Sequence, residues 1–325
     1  MLRSFLIYLS KAGWAQNIIT HWGLASQIAK RFVPGSKLDD ALQVARELNS
    51  RGFTTSLNQL GEHTNTPDDA QQVADSIYTL LDSLGVDPPS GTLSVLRTNL
   101  SLKLTQIGMG LDETLCAETL ERILARAKKN NTFIRIDMED TPYTDKTINL
   151  IYAMKSKGYD NLGLVIQAYL YRSEADLRRL LNDDVRIRIV KGAYKEEPDK
   201  AYPHKADTDA NYDLLTKILL DASLEKNSSI SDDGRTPPMS AFATHDEKRI
   251  TFAKIYAEKI GLPKSGFEFQ MLYGIRRDLQ EQLLKDGYLV RVYIPFGPQW
   301  YPYFMRRLAE RPANLWFFVS NLLRK

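Results

Sequence analysis

Tyr303, Arg306, Arg307 and Glu310 fall at i, i+3, i+4 and i+7, the spacing that puts side chains on one face of a helix. Pro302 suits a first helical turn and Pro312 a stop, while Phe304, Met305 and Leu308 point elsewhere. Such a face has two readings. As a solvated surface it carries an Arg306–Glu310 pair worth a few tenths of a kcal/mol. As a site it offers two adjacent guanidinium forks, each able to grip both oxygens of a carboxylate, with Tyr303 bounding the space one turn earlier.

A second set of polar residues lies where apolar ones belong. Short β-like runs at 100–104, 133–138, 185–190 and 288–294 place Ser101 with Lys103, Arg135 with Asp137, Arg186 with Arg188, and Arg291 with Tyr293 on single faces. The run at 162–169 carries Gln167. One such strand means only a wet face. Five together, polar mostly toward their C-terminal ends, suit a barrel whose strand ends converge on a site. Buried charges need partners, and Lys103, Asp137 and Arg188 can partner one another or a ligand.

The elements that must position these groups alternate regularly. Further β-like runs at 52–57, 241–244 and 267–271 bring the number to eight, each followed by a helix signal. Thr66-Pro67-Asp68-Asp69 opens one helix, Ser173-Glu174-Ala175-Asp176 opens another as a capping box, and a helix over 247–260 stops at Gly261. A doubly wound open sheet gives the same alternation. The number of runs and the lack of a Gly-rich dinucleotide turn favour an α/β fold of the (βα)8 TIM type. Residues 1–50 read as helices only, with Ser36 capping a helix over 38–48, so the expected organisation is an N-terminal helical segment at 1–50 and a barrel at 51–325. The Ser-, Asp- and Pro-rich stretch 227–239 reads as a surface loop.

Composition narrows the function. With 325 residues, 43% hydrophobic and 26% charged, the chain has the profile of a globular protein, and a net charge of +3 without a basic tract argues against nucleic acid. The single cysteine, Cys116, excludes an intrachain disulfide and fits a reducing compartment. Four scattered histidines, His21, His63, His204 and His245, show no HExxH-type spacing, and no metal is expected. The apolar run 5–9 is too short for a signal-peptide core or a membrane span, so membrane contact would be peripheral.

The motifs SLKLTQIG (101–108), RIDMED (135–140), QAYL (167–170), RIVKGAY (188–194), ATHD (243–246), EFQMLYG (268–274), VYIPFG (292–297) and YFMRRLAERPAN (303–314) occur in this order at strand-like spacing. Together they resemble the proline dehydrogenase family, both its single-function bacterial form and the proline-oxidising barrel of the bifunctional proline utilisation proteins. The resemblance implies a distorted barrel whose final helix sits over the C-terminal strand ends. It implies that Arg306, Arg307 and Lys103 bind the substrate carboxylate, that Asp137 holds an arginine in place, and that Tyr293, Tyr303 and Leu272 wall the pyrrolidine ring. It also implies FAD as cofactor, with Arg188 beside flavin N5 and further contacts from Gln167, Lys191, Gly192, Ala193, Tyr194, Thr244, His245 and Glu310. For Lys191 to join Arg188, the strand must end near Val190 and turn at Gly192. The first-strand ending NQLG (58–61) differs from the more acidic ending of the family, and the PQWYP linker (298–302) is shorter than in some relatives.

The activity so implied is oxidation of L-proline to 1-pyrroline-5-carboxylate by hydride transfer to the flavin, the first step of proline catabolism. The sequence names no general base. Electrons would pass to a membrane quinone, with a cytoplasmic location and peripheral contact at the inner face of the membrane; the N-terminal helices and Trp316-Phe317-Phe318 are candidates for that contact. Three rivals remain: a 4-hydroxyproline dehydrogenase, which Tyr303 would disfavour by crowding the added hydroxyl, a flavin-dependent folate reductase barrel, and a non-catalytic barrel binding a small carboxylate.

Overall fold

Ala41, Leu42, Ala45 and Leu48 recur at helical spacing and are all buried, which makes α1 (Leu38–Ser50) an amphipathic helix with one face on the core. The computed structural model describes residues 31–61, 63–85 and 96–310, with side chains as far as residue 305. The expectations for residues 1–30, for 316–318 and for the side chains of Arg306, Arg307 and Glu310 lie outside the described residues. At the start of α1 the cap is Lys37, not Ser36: its N–H donates to Asp40 Oδ2 at 3.4 Å.

Strands and helices then alternate. They run β1 (Thr54–Gln59), α2 (Pro67–Gly85), β2 (Thr98–Leu102), α3 (Glu113–Lys129), β3 (Ile134–Ile136), α4 (Thr141–Ser156), β4 (Leu162–Gln167) and α5 (Ser173–Asn182). The second half continues with β5 (Arg186–Val190), α6 (Lys205–Glu225), β6 (Ser240–Ala243), α7 (Glu247–Lys259), β7 (Phe267–Leu272), α8 (Arg277–Lys285), β8 (Leu289–Phe296) and α9 (Trp300–Glu310). All neighbouring strands are parallel, and pairing of β1 with both β2 and β8 closes an eight-stranded barrel. Parallel strands need crossover connections, and the helices supply them.

Each expected run overlaps one strand, and the differences sit at the ends. Gly52, at φ +96°, turns the chain out of α1, so β1 starts at Thr54. Lys103 leaves the ladder after β2 and its N–H donates to Gln106 Oε1 at 2.8 Å, opening a short 3-10 turn. Asp137 likewise leaves β3, its N–H still donating to Leu102 O at 2.9 Å. Both polar side chains are thereby delivered past the ends of the ladder.

The caps divide. α2 opens at Pro67 as expected, and Thr66 and Asp69 exchange reciprocal bonds of 3.1 Å each, a capping box at its head. Ser173 does not cap α5; its hydroxyl donates to Leu170 O at 2.7 Å, and Arg172 holds the cap position without a side-chain bond.

Residues 227–239 form the expected loop, exposed or half-buried over its first half, but from Gly234 onward it turns inward. Arg235 is buried and donates to Leu96 O (2.9 Å), Asn130 O (2.6 Å) and Leu84 O (2.6 Å), tying the C-terminal ends of α2 and α3. Helix C-termini present unpaired carbonyls and partial negative charge, so a guanidinium is well matched there. Composition marks the turns in this segment but does not show that one arginine folds inward.

Candidate active site

The strands carry polar groups inward at successive levels. Near the N-terminal ends, the Arg291 Nε donates to both Glu268 oxygens at 3.0 and 3.1 Å, and neither side chain is more than 1% exposed. Arg135 lies nearby, over the Phe133 ring and bonded to Leu164 O and Arg186 O. It fits because Gly163 has no side chain: a Cβ there would meet Arg135 NH1 at 2.7 Å. Burial, then the Arg188 charge, pulls the Arg135 guanidinium well below its usual range.

One level higher sits Arg188, whose side chain is 6% exposed. It donates to Asp137 through NH2 and to Gln270 Oε1 through NH1 at 3.1 Å, with its guanidinium 5.4 Å from the Tyr293 ring centre. Asp137 also accepts from the Tyr293 hydroxyl at 2.7 Å and faces Lys103 Nζ at 3.6 Å. Burial alone would raise the Asp137 carboxyl, but Arg188, Lys103 and the two hydrogen bonds outweigh it and hold it below the usual carboxylate range. Burial, and then the Asp137 charge, push the Tyr293 phenol well up, so it stays a donor. Among the described residues, Lys103, Arg135, Arg188 and Arg291 gather around Asp137 and Glu268, with Glu139 also near Lys103, so basic groups outnumber acidic ones in this part of the barrel.

Above this level a cavity of about 1040 Å³ opens at the C-terminal ends of the strands. Lys103, Asp137, Gln167 and Arg188 form one part of its wall. Lys191, Gly192, Ala193 and Tyr194 form another, on the segment after β5. Thr244 and His245 follow from β6, Leu272 from β7, Tyr293 from β8 and Tyr303 from α9. The same helix buries Tyr301, Phe304 and Met305, with the Phe304 ring 6.0 Å from Phe32, so it is anchored by one face and lends Tyr303 to the cavity.

The turn after β5 explains how Lys191 reaches the cavity. The strand ends at Val190, and Gly192 takes φ +108°, in the region that favours glycine. A Cβ on Gly192 would lie 2.1 Å from Tyr169 Cδ1, so no larger residue fits beside that ring. Lys191 Nζ is held between Asp209 (2.5 Å) and Asp246 (2.6 Å), while His245 Nε2 accepts from Leu272 N–H at 3.0 Å. His245 therefore has a structural bond as well as a place on the cavity wall.

The residues that the family resemblance assigns to the site, where their side chains are described, all line this one cavity, whereas Ser101, Arg135, Arg186 and Arg291 of the polar strand pairs do not. Arg306, Arg307 and Glu310 share α9 with Tyr303, but their side chains lie outside the described residues. Sequence reasoning missed Gln270 and Glu268 as interior groups, although they alternate on β7 as the other polar pairs do. It also missed the acidic pair around Lys191, which joins α6 to the start of α7 and has no local signature.

Two buried polar atoms on the cavity wall have no hydrogen-bond partner among the described residues: the donor Arg188 Nε and the acceptor Gln167 Oε1. A donor and an acceptor left open in this way suit a ligand with a mixed polar edge, such as the pyrimidine end of a flavin. No group of His, Cys, Asp and Glu able to hold a metal occurs among the described residues.

Comparison with known proteins gives a consistent family. The family model described as proline dehydrogenase matches residues 41–319. The chain is 36% identical over 324 residues to proline dehydrogenase 2 of Bacillus subtilis, covering 99% of each. It is 39% identical over 303 residues to a proline dehydrogenase of Deinococcus radiodurans, covering 91% of this chain and 90% of that one. Among solved structures, proline utilization A from Bdellovibrio bacteriovorus, inactivated by N-propargylglycine, superposes with a TM-score of 0.76 at 27% identity. That match covers 88% of this chain but only 33% of the larger protein.

Proposed function

The chain belongs to the proline dehydrogenase family, and from that premise we propose that it oxidises L-proline to 1-pyrroline-5-carboxylate with FAD as cofactor. The observation that carries this reading is the buried Lys103–Asp137–Arg188–Tyr293 cluster at the floor of the cavity, inside an interior with surplus positive charge. A substrate carboxylate and a cofactor that gains negative charge both complement that field.

FAD, when bound, would supply the oxidising power that the reaction needs; proline would give up a hydride from the ring carbon beside nitrogen and the N–H proton to solvent as its C=N bond forms. Arg188 Nε and Gln167 Oε1 are the groups with free hydrogen-bonding capacity for the cofactor, and 192–194 supplies a narrow main-chain wall. Lys103, with Arg306 and Arg307 on α9, would fix the carboxylate and so orient the ring. Asp137 keeps Arg188 in place and takes the Tyr293 hydroxyl, which leaves the phenol ring as a wall of the substrate space. Tyr303, buried to 8% exposure on the same wall, would crowd the extra oxygen of 4-hydroxyproline and so favour proline.

The electron acceptor we propose is a membrane quinone, reached by peripheral contact; this part rests on family membership alone. Among the described residues no helix is long and apolar enough to cross a membrane. The deciding experiment is the visible spectrum of the purified protein before and after anaerobic L-proline. A flavin band that bleaches supports cofactor, substrate and hydride transfer together. A persistent band redirects the substrate to hydroxyproline, and absence of flavin even after added FAD overturns the proposal. In the same preparation, Arg306→Ala and Arg307→Ala should raise the proline KM at least about tenfold, the loss of one charged hydrogen bond, with flavin retained.

A further inference from the structure

Beneath Arg188 a single file of buried side chains runs down the barrel. Arg188 NH1 donates to Gln270 Oε1 at 3.1 Å, and Gln270 Nε2 donates to Glu268 Oε1 at 2.5 Å. Glu268 is in turn gripped by Arg291, whose NH1 and NH2 donate to Thr55 O (2.9 Å) and Gly234 O (3.0 Å). Gln270 and Glu268 stand two apart on β7, and Gln270 pairs with Arg291 of β8 in register. Gln270 is 4% exposed, Arg291 1% and Glu268 0%.

The polarity of this file is fixed by chemistry. A guanidinium only donates and a carboxylate only accepts, so an amide between them has one good orientation. Its oxygen must face Arg188 and its nitrogen Glu268; the flipped amide would set donor against donor and acceptor against acceptor. Charged groups buried this deeply are expensive unless each is paired, and a cheaper apolar filling would leave Arg188 NH1 only the long 3.5 Å bond to Ser101 Oγ.

We propose that Gln270 is a positioning residue for Arg188, and that Glu268, anchored by Arg291, sets the orientation of the Gln270 amide. Asp137 takes one terminal nitrogen of Arg188 and Gln270 takes the other, which leaves Nε, the donor without a partner among the described residues, for the cofactor. The role in flavin chemistry rests on the FAD reading above.

The test uses three variants of the flavin-loaded protein: Gln270→Leu, Gln270→Glu, and the exchange Gln270→Glu with Glu268→Gln. The exchange keeps the net charge and an acceptor for each guanidinium, but reverses the middle bond, the amide at 268 donating to the carboxylate at 270, one position nearer Arg188. Each is measured for flavin affinity by fluorescence titration, for flavin midpoint potential against redox dyes, and for the rate of flavin reduction by L-proline. Gln270→Leu should keep its flavin and its proline KM within about threefold, yet reduce at least about tenfold more slowly, the equivalent of one lost charge-assisted hydrogen bond. Gln270→Glu alone, which sets two carboxylates together, should be no better. The exchange should recover most of the rate, with a midpoint potential below that of the native protein, because negative charge has moved toward the flavin.

Native reduction rates in Gln270→Leu would overturn the proposal. So would an exchange as slow as Gln270→Leu, since that outcome makes the residue a packing group only. Loss of flavin or of folding from Gln270→Leu alone also counts against it, because the file would then hold the barrel and not Arg188. A native protein that binds no flavin refutes the FAD reading instead, and is told apart by the first titration.

Discussion

Replacing Asp137 by Asn removes a buried negative charge that two cations share. Arg188 is bonded to one carboxylate oxygen, while Lys103 at 3.6 Å and the Tyr293 hydroxyl at 2.7 Å face the other. The Arg188 and Lys103 side chains are 6% and 15% exposed, so water cannot take over the carboxylate's role. Removing one partner of a buried pair costs about 3–5 kcal/mol, because the other charge is left uncompensated. At about 2.1 cal/mol/K per residue, 325 residues give an unfolding entropy of roughly 0.7 kcal/mol/K, so Tm should fall by about 4–7 °C. The pH dependence has a definite sign. The folded carboxyl titrates below its ordinary 3.8, so its contribution is complete above the unfolded value and is lost as pH falls through the folded one. Guanidinium unfolding of native and Asp137→Asn protein should therefore give a constant difference from about pH 8 to 5, narrowing only below about pH 4. A difference under about 1 kcal/mol at neutral pH, the level of an exposed ion pair, would refute the argument that Asp137 neutralises this cluster.

Three further outcomes follow from local geometry. Arg235→Ala removes three charge-assisted bonds to the carbonyls of Leu84, Leu96 and Asn130 and should destabilise by about 3 kcal/mol or more, with kcat and KM of the folded fraction unchanged; a loss of activity per folded molecule would show that the influence of Arg235 reaches the site. Gly192→Ala combines φ +108° with a Cβ 2.1 Å from the Tyr169 ring, and flavin should bind at least about tenfold more weakly in a fluorescence titration. Burial, with Glu139 and Glu113 adding to it, pushes the Cys116 thiol up to about 12, so iodoacetamide at pH 8 should leave the native protein unlabelled by mass spectrometry and modify one site in guanidinium. Rapid labelling of the folded protein would contradict that burial.

Much of the barrel is legible locally. Alternation of β-like runs with helices, the helix opening at Thr66-Pro67 and the turn at Gly192 are short-range patterns, and each appears where the residues say it should. So do the interior-facing pairs Ser101 with Lys103 and Arg135 with Asp137, because alternation on a strand is a property of its backbone. Motif order along the chain was enough to name the family.

Which of those polar groups meet was decided by closure. Asp137 and Tyr293 are 156 residues apart, and Arg188 and Gln270 82 apart, yet each pair is hydrogen-bonded once β1 joins β8. No local period carries that information; it depends on how far each strand is staggered around the ring. The same holds for Arg235, which composition places in a loop and the barrel floor draws inward, and for Lys191, whose two carboxylates come from α6 and from the residue that caps α7. The sequence by itself determined the elements, their faces and the chemical types available at the strand ends. Only the tertiary structure decided the pairings, because a buried charge is settled by whichever opposite group the closed barrel brings within reach, at whatever distance along the chain.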